Sequence, residues 1–327
     1  MSKSTNLSQE VFEDIIGQYT AVTLLSSALK KHRIAPAYLF AGPEGVGRGL
    51  TARRFLEGLL TGGLTSSKER VRLEKYNHPD LLWVEPTYQH QGKLIIQSLA
   101  QKESINKRST PQIRLEQIRE VKAFLSKQPL EAKSGMVVIE DVEMMQEAAA
   151  NALLKTLEEP GKGILILISE RPERLLQTIR SRCQKIPFKS LNINHLKQVL
   201  DRLKSKKSMD SSITIKAPYL VMISNGSPGK LLKNIQAWNE LPNGIWDALK
   251  RLPNSNIENL SLARNITENL DVEQQLWLIN LFQQFLWSKA KNPKQIEQLD
   301  TLRVQLIAYV QPRLAWEITL LKISQEF

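Results

Sequence analysis

A glycine-rich stretch, Gly42–Gly49 with the sequence GPEGVGRG, lies between the apolar run Ala37–Ala41 and the helix-like segment Leu50–Leu56. This order of strand, glycine loop and helix is typical of a P-loop, in which backbone N–H groups at a helix N-terminus hold phosphate. A P-loop also has a lysine for the phosphates and a Ser or Thr hydroxyl for Mg²⁺, and Arg48 and Gly49 stand in those two places. The stretch therefore predicts either a P-loop that has lost two functional side chains or a plain glycine turn. The glycines that the loop needs are Gly42, Gly45 and Gly47.

Two further apolar runs, Met136–Ile139 and Ile164–Ile168, have the continuous hydrophobic character of parallel strands that are buried on both faces. Helical patterns lie nearby at Leu115–Lys127 and Ala148–Glu158. Strands that alternate with helices predict an α/β domain with a parallel sheet and flanking helices, which we assign to residues 1–188. Polar segments within this part of the chain are expected to be loops, at Gly62–Lys68 and Tyr88–Arg108.

The rest of the chain has a helical pattern in two parts that differ in charge. Residues 189–235 carry nine Lys or Arg against two Asp, whereas residues 236–327 carry nine basic and ten acidic residues and five of the six Trp. We therefore predict a small helical domain at 189–235 and an all-α domain at 236–327. The helices expected in the last domain are Asp271–Lys291, with Asp271 as cap, Ile296–Tyr309 and Leu314–Ile323.

The overall composition limits the class of protein. The formal net charge of +12 favours a polyanionic partner without establishing one. The single cysteine, Cys183, excludes a disulfide framework and a cysteine-rich zinc site. We find no N-terminal apolar signal segment and no run of about 18 apolar residues, so we expect a soluble, cytoplasmic protein with no membrane partner.

An acidic pair, Glu140-Asp141, follows the apolar run Met136–Ile139. Walker B strands of many ATPases end in Asp-Glu, where the first acid helps hold Mg²⁺ and the second helps polarise water. In the opposite order each carboxylate is displaced by about one methylene, and a misplacement of about 1 Å can cost on the order of 10²-fold in rate. The alternative interpretation is a pair of solvated acids at the end of a strand.

The triplet Ser181-Arg182-Cys183 precedes another strand-like segment, Lys185–Phe188. From the residues alone, Arg182 is interpreted as a surface arginine near a helix C-terminus, where a positive charge is favourable. Cys183 has no histidine near it in sequence, so apolar packing is favoured over a nucleophilic role.

Taken together, these segments resemble the delta-prime subunits of bacterial DNA polymerase III clamp loaders, which are AAA+ proteins. The resemblance spans residues 12–230, and NALLKTLEEP together with SRC is its most specific part. The segments that carry it are, in chain order, Phe12–Gln18, Ala37–Gly49, Asn77–Asp80, Val84–Pro86, Ile113–Glu120, Asn151–Pro160, Ser181–Cys183 and Gly226–Gly229.

The resemblance implies an AAA+ P-loop module, a small helical lid and an all-α collar that assembles a five-subunit ring with gamma/tau and delta subunits. It implies that this chain does not hydrolyse ATP itself and presents Arg182, within the SRC motif, as an arginine finger to ATP on a neighbouring subunit. ATP and Mg²⁺ would be held by that neighbour, so no cofactor is expected here. The sliding clamp and primer–template DNA would be met through the assembled complex.

Two further positions bear on the resemblance. Gly229 stands where ATP-hydrolysing relatives usually carry an arginine shortly after a Gly-Ser pair, so the loop, the acid order and the lid all indicate lost hydrolysis. Many relatives carry a four-cysteine zinc module before the Asn-His-Pro-Asp segment, but the interval Thr61–Tyr76 contains no cysteine. We therefore expect no zinc site.

The sequence thus predicts a non-hydrolysing subunit of a DNA polymerase (nucleotidyltransferase) holoenzyme, with no intrinsic ATPase activity. One alternative is a gamma/tau-type ATPase, which predicts ATP turnover by the isolated chain. Another is a DNA-binding module that uses the basic segment 189–235, which predicts salt-sensitive DNA binding. Whether the altered loop still binds nucleotide is left open by the sequence.

Overall fold

A computed structural model describes residues 10–90, 93–102, 110–159, 161–205, 218–252, 255–289 and 291–325. They fall into two compact units, Met1–Asp201 and Arg202–Phe327, and each is described by itself. The division into three domains with boundaries after residues 188 and 235 stays a prediction. Most of the basic segment at 204–217 lies outside the described residues.

The first unit is built on a sheet of five parallel strands in the order β2-β5-β6-β1-β7, and a separate antiparallel pair joins β3 and β4. The predicted parallel sheet is confirmed, because the central strands consist of side chains that are buried on both faces. The strands are β1 (Ala37–Ala41), β2 (Leu81–Val84), β3 (Thr87–His90), β4 (Lys93–Ile96), β5 (Met136–Ile139), β6 (Ile164–Ser169) and β7 (Gln184–Pro187).

Helices cover both faces of this sheet and form two cores. On β1, Tyr38 and Phe40 point to a core that includes Phe55, whereas Leu39 points to the opposite core, which includes Leu153. The alternation follows from the strand geometry, in which successive side chains point to opposite faces. The helices that begin in this unit are α1 (Tyr19–Lys30), α2 (Arg48–Thr61), α3 (Ser67–Glu74), α4 (Gln97–Lys102), α5 (Leu115–Leu125), α6 (Glu147–Glu158), α7 (Gln177–Arg180) and α8 (Ile193–Ser205), and the last residues of α8 belong to the second unit.

The prediction of a loop at Tyr88–Arg108 is wrong for the described part of that segment. Strands β3 and β4 pair in antiparallel register, Thr87 with Ile96, and α4 follows directly. The Ser98 N–H donates to Glu85 Oε2 at 3.1 Å and fixes the start of the helix. Strand β3 is mostly polar, and β4 contains an apolar run of only three residues, Leu94–Ile96, so neither strand has the longer continuous apolar run by which the other strands were found.

The Asn-His-Pro-Asp segment ties the entry of β2 to the chain that follows α5. The Asp80 carboxylate accepts hydrogen bonds from the backbone N–H groups of Leu130, Glu131 and Ala132, each at 2.7 Å, and the Asp80 N–H donates to His78 Nδ1 at 3.1 Å. Burial acts to raise the pKa of Asp80, but the three backbone donors outweigh it and lower the pKa. The segment is thus a structural turn that leads into β2.

Helices are the only regular secondary structure among the described residues of the second unit. The three helices expected near its end are confirmed, and Asp271 caps the first, since its Oδ1 accepts from the Gln274 N–H at 2.8 Å while Gln274 Oε1 accepts from the Asp271 N–H at 3.0 Å. None of the described helices is long and apolar enough to cross a bilayer. The helices are α9 (Pro218–Ile223), α10 (Pro228–Glu240), α11 (Ile245–Arg251), α12 (Asn256–Asn269), α13 (Val272–Lys289), α14 (Pro293–Ile307) and α15 (Pro312–Gln325).

Candidate functional site

The glycine loop joins β1 to the N-terminus of α2 through backbone geometry that needs glycine. The Gly42 N–H donates to the Ser169 carbonyl at 3.1 Å, and a Cβ atom on Gly42 would lie 2.4 Å from the Phe188 carbonyl oxygen. Gly45 and Gly47 have φ values of 72° and 101°, which L side chains rarely adopt, and Gly47 is the N-cap of α2. The glycines are therefore required by the turn itself.

The side chain of Gln18 fixes the position of this loop. Its Nε2 donates to the Val46 carbonyl at 3.2 Å and to the Lys189 carbonyl at 2.7 Å, and its Oε1 accepts from the Lys189 N–H at 3.1 Å. The loop is thus tied to the chain that leaves β7. Sequence reasoning missed this role, although Gln18 ends the first segment of the family resemblance.

The charges of Arg48 and Asp141 influence each other at the edge of the sheet where the loop begins α2, although no ion pair joins the two described side chains. Arg48 is only 6% exposed, and its Nη1 is buried with no hydrogen-bond partner among the described residues. Burial, together with the negative charge of Glu143, raises the pKa of Asp141 to about 6, and the positive charge of Arg48 acts against that increase. Two of the predicted positions are therefore brought together by the fold.

Glu140 faces the position of Gly49 and is not a solvated acid. Its Oε1 accepts a hydrogen bond from Trp83 Nε1 at 3.1 Å, and the same oxygen lies 3.5 Å from where a Cβ on Gly49 would stand. Burial and the negative charges of Glu85 and Asp141 raise the pKa of Glu140 to about 7. The interpretation of the pair as solvated acids is wrong, because both residues are half-buried and the Glu140 carboxylate accepts a hydrogen bond from an indole.

Arg53 and two aromatic rings surround Glu140 and were missed from the sequence. The Arg53 guanidinium lies over the ring of Trp83, 5.3 Å from its centroid, and over that of Tyr76, at 5.9 Å. Arg53 Nη1 also donates to the Tyr76 hydroxyl at 3.1 Å. The Arg53 charge acts against the raised pKa of Glu140. Arg53 and Tyr76 thus pack around the indole of Trp83, which donates the hydrogen bond to the Glu140 carboxylate.

Ser169 is a further polar group at this edge of the sheet. It ends β6, next to β1, and is fully buried; its Oγ has no hydrogen-bond partner among the described residues. Its only signal in the sequence is a serine that ends the apolar run Ile164–Ile168.

Arg182 lies away from the loop, in the turn between α7 and β7. Its Nη1 donates to the Thr178 carbonyl at 3.1 Å and its Nη2 to Glu158 Oε1 at 2.8 Å, and the side chain is 37% exposed. The interpretation as a surface arginine near a helix C-terminus is confirmed. The ion pair also joins the two most specific segments of the family resemblance, since Glu158 belongs to NALLKTLEEP.

The neighbours of Arg182 in the triplet have structural roles. Ser181 Oγ donates to the Thr178 carbonyl at 3.1 Å. Burial raises the pKa of the Cys183 thiol to about 12, and Cys183 packs against the apolar core formed with α5 and α6. The predicted apolar packing of Cys183 is confirmed, and so high a pKa is unsuited to a nucleophile.

Gly229 lies in the second unit, in the first turn of α10. That helix begins with Pro228, and its N-cap Ser227 accepts a hydrogen bond from the Lys230 N–H at 3.1 Å. No group of three or more His, Cys, Asp or Glu side chains is placed to hold a metal ion in the described part of the chain.

The cysteine-free interval before the Asn-His-Pro-Asp segment contains α3, which ion pairs fasten to α2. Glu57 is fully buried and accepts from Arg70 Nε and from the Ser66 N–H, each at 2.8 Å. Arg54 pairs with Asp14 at 2.8 Å and with Glu74 at 3.3 Å. This segment of the structure is thus stabilised by guanidinium–carboxylate bonds.

A parallel sheet with flanking helices, a glycine loop after β1 and an acidic pair after β5 define an α/β module with a fold of the AAA+ type. The chain belongs to the DNA polymerase III delta and delta-prime family. The family model described as "DNA polymerase III, delta subunit" matches residues 17–192, and that described as "Cyanobacterial DNA polymerase III delta prime, C-terminal domain" matches residues 194–323. The resemblance that the sequence motifs carry is confirmed.

Individual relatives agree with the family. The chain is 36% identical to "DNA polymerase III subunit delta'" of Bacillus subtilis over 194 residues. The aligned region covers 57% of this chain and 51% of that protein. It is 27% identical to "DNA polymerase III subunit tau/gamma" of Haemophilus influenzae over 229 residues. That aligned region covers 68% of this chain and 29% of that protein. The chain thus spans about half of the first relative and under a third of the second.

A solved structure supports the fold. It is a "dna polymerase iii, gamma subunit-related protein" from Thermotoga maritima, with a TM-score of 0.51, 18% identity, and coverage of 94% of this chain and 99% of that one. At this identity the likeness concerns the fold alone.

Proposed function

We propose that this chain is a non-hydrolysing delta-prime subunit of a DNA polymerase III clamp loader and supplies Arg182 as an arginine finger to ATP bound on a neighbouring subunit. The observation that carries the proposal is the exposed guanidinium of Arg182 in a surface turn, in a chain of this family whose own loop lacks the lysine and the hydroxyl of a P-loop.

The residues around the loop do not fit Mg²⁺-dependent turnover of ATP. Arg48 stands in the lysine position but is buried beside Asp141, and Gly49 has no hydroxyl for Mg²⁺. The carboxylate that faces Gly49, Glu140, already accepts a hydrogen bond from the indole of Trp83. That bond competes with coordination of a cation by the same oxygen.

Arg182 has the chemistry that the finger role needs. A guanidinium is always charged and presents several donors in a plane that matches phosphate oxygens. An arginine supplied in trans stabilises the charge of the transferring phosphoryl group and contributes about 10³–10⁵ in rate in well-studied cases. The neighbouring subunit would supply the P-loop and Mg²⁺.

The partners in this proposal are gamma/tau and delta subunits, and the work of the complex is to load the sliding clamp onto primed DNA in the cytoplasm. Support comes from the family itself and from relatives that are named as subunits of DNA polymerase III. Under this proposal the chain has no catalytic turnover of its own.

A gamma/tau-type ATPase is the second candidate, and the match to the tau/gamma subunit over 68% of this chain favours it. It predicts Mg²⁺-dependent phosphate release by the purified chain alone. The proposal made here predicts none above background, so one phosphate-release assay on the isolated chain separates the two.

The decisive experiment is reconstitution of the complex with Arg182→Ala. We expect assembly to persist, while ATP turnover at the interface served by this chain falls about 10³-fold or more. The measurement is DNA- and clamp-stimulated ATPase activity together with clamp loading. Arg180→Ala, which removes the exposed arginine at the end of α7, is the matched control and should leave the rate near that of the wild type. Normal turnover with Arg182→Ala would refute the finger assignment.

A further inference from the structure

We infer that Glu158 restrains the guanidinium of Arg182 on its own subunit and thereby sets the ATP concentration at which the finger engages the neighbouring site. This inference rests on the proposed function, in which Arg182 acts across a subunit boundary. Glu158 is then a positioning residue that acts through Arg182 and touches no reacting atom.

The geometry shows that both terminal nitrogens of the guanidinium already have acceptors within the same subunit. Nη2 donates to Glu158 Oε1 at 2.8 Å, and Nη1 donates to the Thr178 carbonyl at 3.1 Å. A bidentate contact of these nitrogens with phosphate therefore competes with the bonds that hold them. Because the carboxylate lies so close, it also reduces the net positive charge that an incoming phosphate meets.

The position of Glu158 suits a restraint that can be released. It is the last residue of α6, where a negative charge is unfavourable next to the helix C-terminus unless a cation accompanies it. Both partners are exposed, at 37% for Arg182 and 52% for Glu158. An exposed ion pair is weak, so a nucleoside triphosphate, which carries several negative charges, is able to displace the single carboxylate.

The test is Glu158→Gln in the reconstituted complex, with the ATPase rate followed as a function of ATP concentration. We expect the half-saturating ATP concentration to fall by about 2–5-fold, equivalent to about 0.4–1 kcal/mol, with little change in kcat. The difference should shrink at high salt, because the pair is exposed and is screened. Glu159→Gln removes the neighbouring exposed carboxylate and should leave the half-saturating concentration unchanged.

A double variant separates an effect through Arg182 from a general charge effect. Glu158→Gln added to Arg182→Ala should behave as Arg182→Ala alone. If the double variant still shows the shift in half-saturating concentration, or if Glu158→Gln lowers kcat with that concentration unchanged, the restraint is refuted.

A measurement on the isolated chain keeps the restraint separate from the finger assignment. The ¹⁵N-detected exchange of the Arg182 guanidinium protons should become faster in Glu158→Gln and stay unchanged in Glu159→Gln. No change in Glu158→Gln would refute the restraint, whatever the ATPase assay shows. Normal ATPase activity in Arg182→Ala, by contrast, would refute the finger assignment on which the regulatory role depends.

Discussion

Two arginines of the first unit, Arg54 on α2 and Arg182 in the turn after α7, show how differently the same side chain is used. The side chain of Arg54 is 4% exposed and faces the carboxylates of Asp14, Glu57 and Glu74. Arg182 is 37% exposed and faces one carboxylate. A buried arginine with several acids maintains the structure, whereas an exposed arginine with one weak partner is available to another molecule.

The glycine loop after β1 and the turn that carries Arg182 differ in the same way: the charged groups of the first are more buried than the guanidinium of the second. Around the loop, Glu140 is bonded to Trp83, and Arg48 is buried beside Asp141. These charged groups are turned inward and mostly buried. This contrast supports the proposal that the chain contributes chemistry to other subunits through Arg182 and not through its own glycine loop.

The largest change in stability is expected from the buried arginine. Arg54→Met leaves the mostly buried carboxylate of Asp14 without its cation and removes one of the two guanidinium groups near Glu57, and we expect the free energy of unfolding to fall by about 3–5 kcal/mol. Urea unfolding with hydrogen exchange of the sheet amides measures the loss in the first unit. Arg182→Ala serves as control and should cost no more than about 1 kcal/mol, since its pair is exposed. Equal losses in the two variants would contradict the distinction between them.

A smaller effect is expected from pH, through Glu140. Its pKa is raised from the ordinary 4.5 to about 7, so the native state keeps a proton that the unfolded chain loses. The stability due to that proton is present below about pH 4.5 and is lost as the pH rises through 7. Glu140→Gln mimics the protonated form and retains an acceptor for Trp83. Between pH 5 and 8 the wild type should lose about 2–3 kcal/mol relative to Glu140→Gln.

The pH experiment needs a control for the mere removal of a charge. Glu159→Gln changes an exposed residue, and its free energy of unfolding should follow that of the wild type between pH 5 and 8. If the free energies of unfolding of the wild type and Glu140→Gln changed in parallel with pH, the Glu140 carboxylate would be solvated. That result would weaken the contrast between the glycine loop and Arg182.

The smallest effect concerns the backbone of the loop. Gly42→Ala places a Cβ against the Phe188 carbonyl oxygen, and we expect a loss of about 1–3 kcal/mol in the free energy of unfolding. Gly135→Ala is the control, because its Cβ would meet Leu125 and Phe124 at an ordinary 3.6 Å. If Gly42→Ala were as stable as the control in urea, the loop would be looser than the structure indicates, and nucleotide binding would deserve a direct titration.

Much of the fold could be predicted because its signals are local. The runs at 37–41, 136–139 and 164–168 are strands, since a parallel strand that is buried on both faces has no polar interruption. The hairpin β3–β4 could not be found this way, because it is partly exposed. Helix α3 was missed too, since ion pairs to α2 hold it rather than a strong apolar stripe.

The candidate site was predictable only in part, because some of its contacts join residues that are far apart in the sequence. Motif spacing located the glycines, the acidic pair and Arg182. It could not show that Trp83 binds Glu140, which lies 57 residues away, or that Glu158 binds Arg182 over 24 residues. Such pairs depend on how strands and helices are brought together, which spacing along the chain does not specify.

The attachment of α3 to α2 has a practical consequence for biogenesis. Guanidinium and carboxylate groups are part of every newly made copy of the chain, and their pairing depends neither on a supply of trace element nor on the thiol–disulfide balance of the surroundings. We therefore expect the corner formed by Arg54, Glu57 and Arg70 to reassemble after dilution from urea in a buffer that contains chelator and reductant.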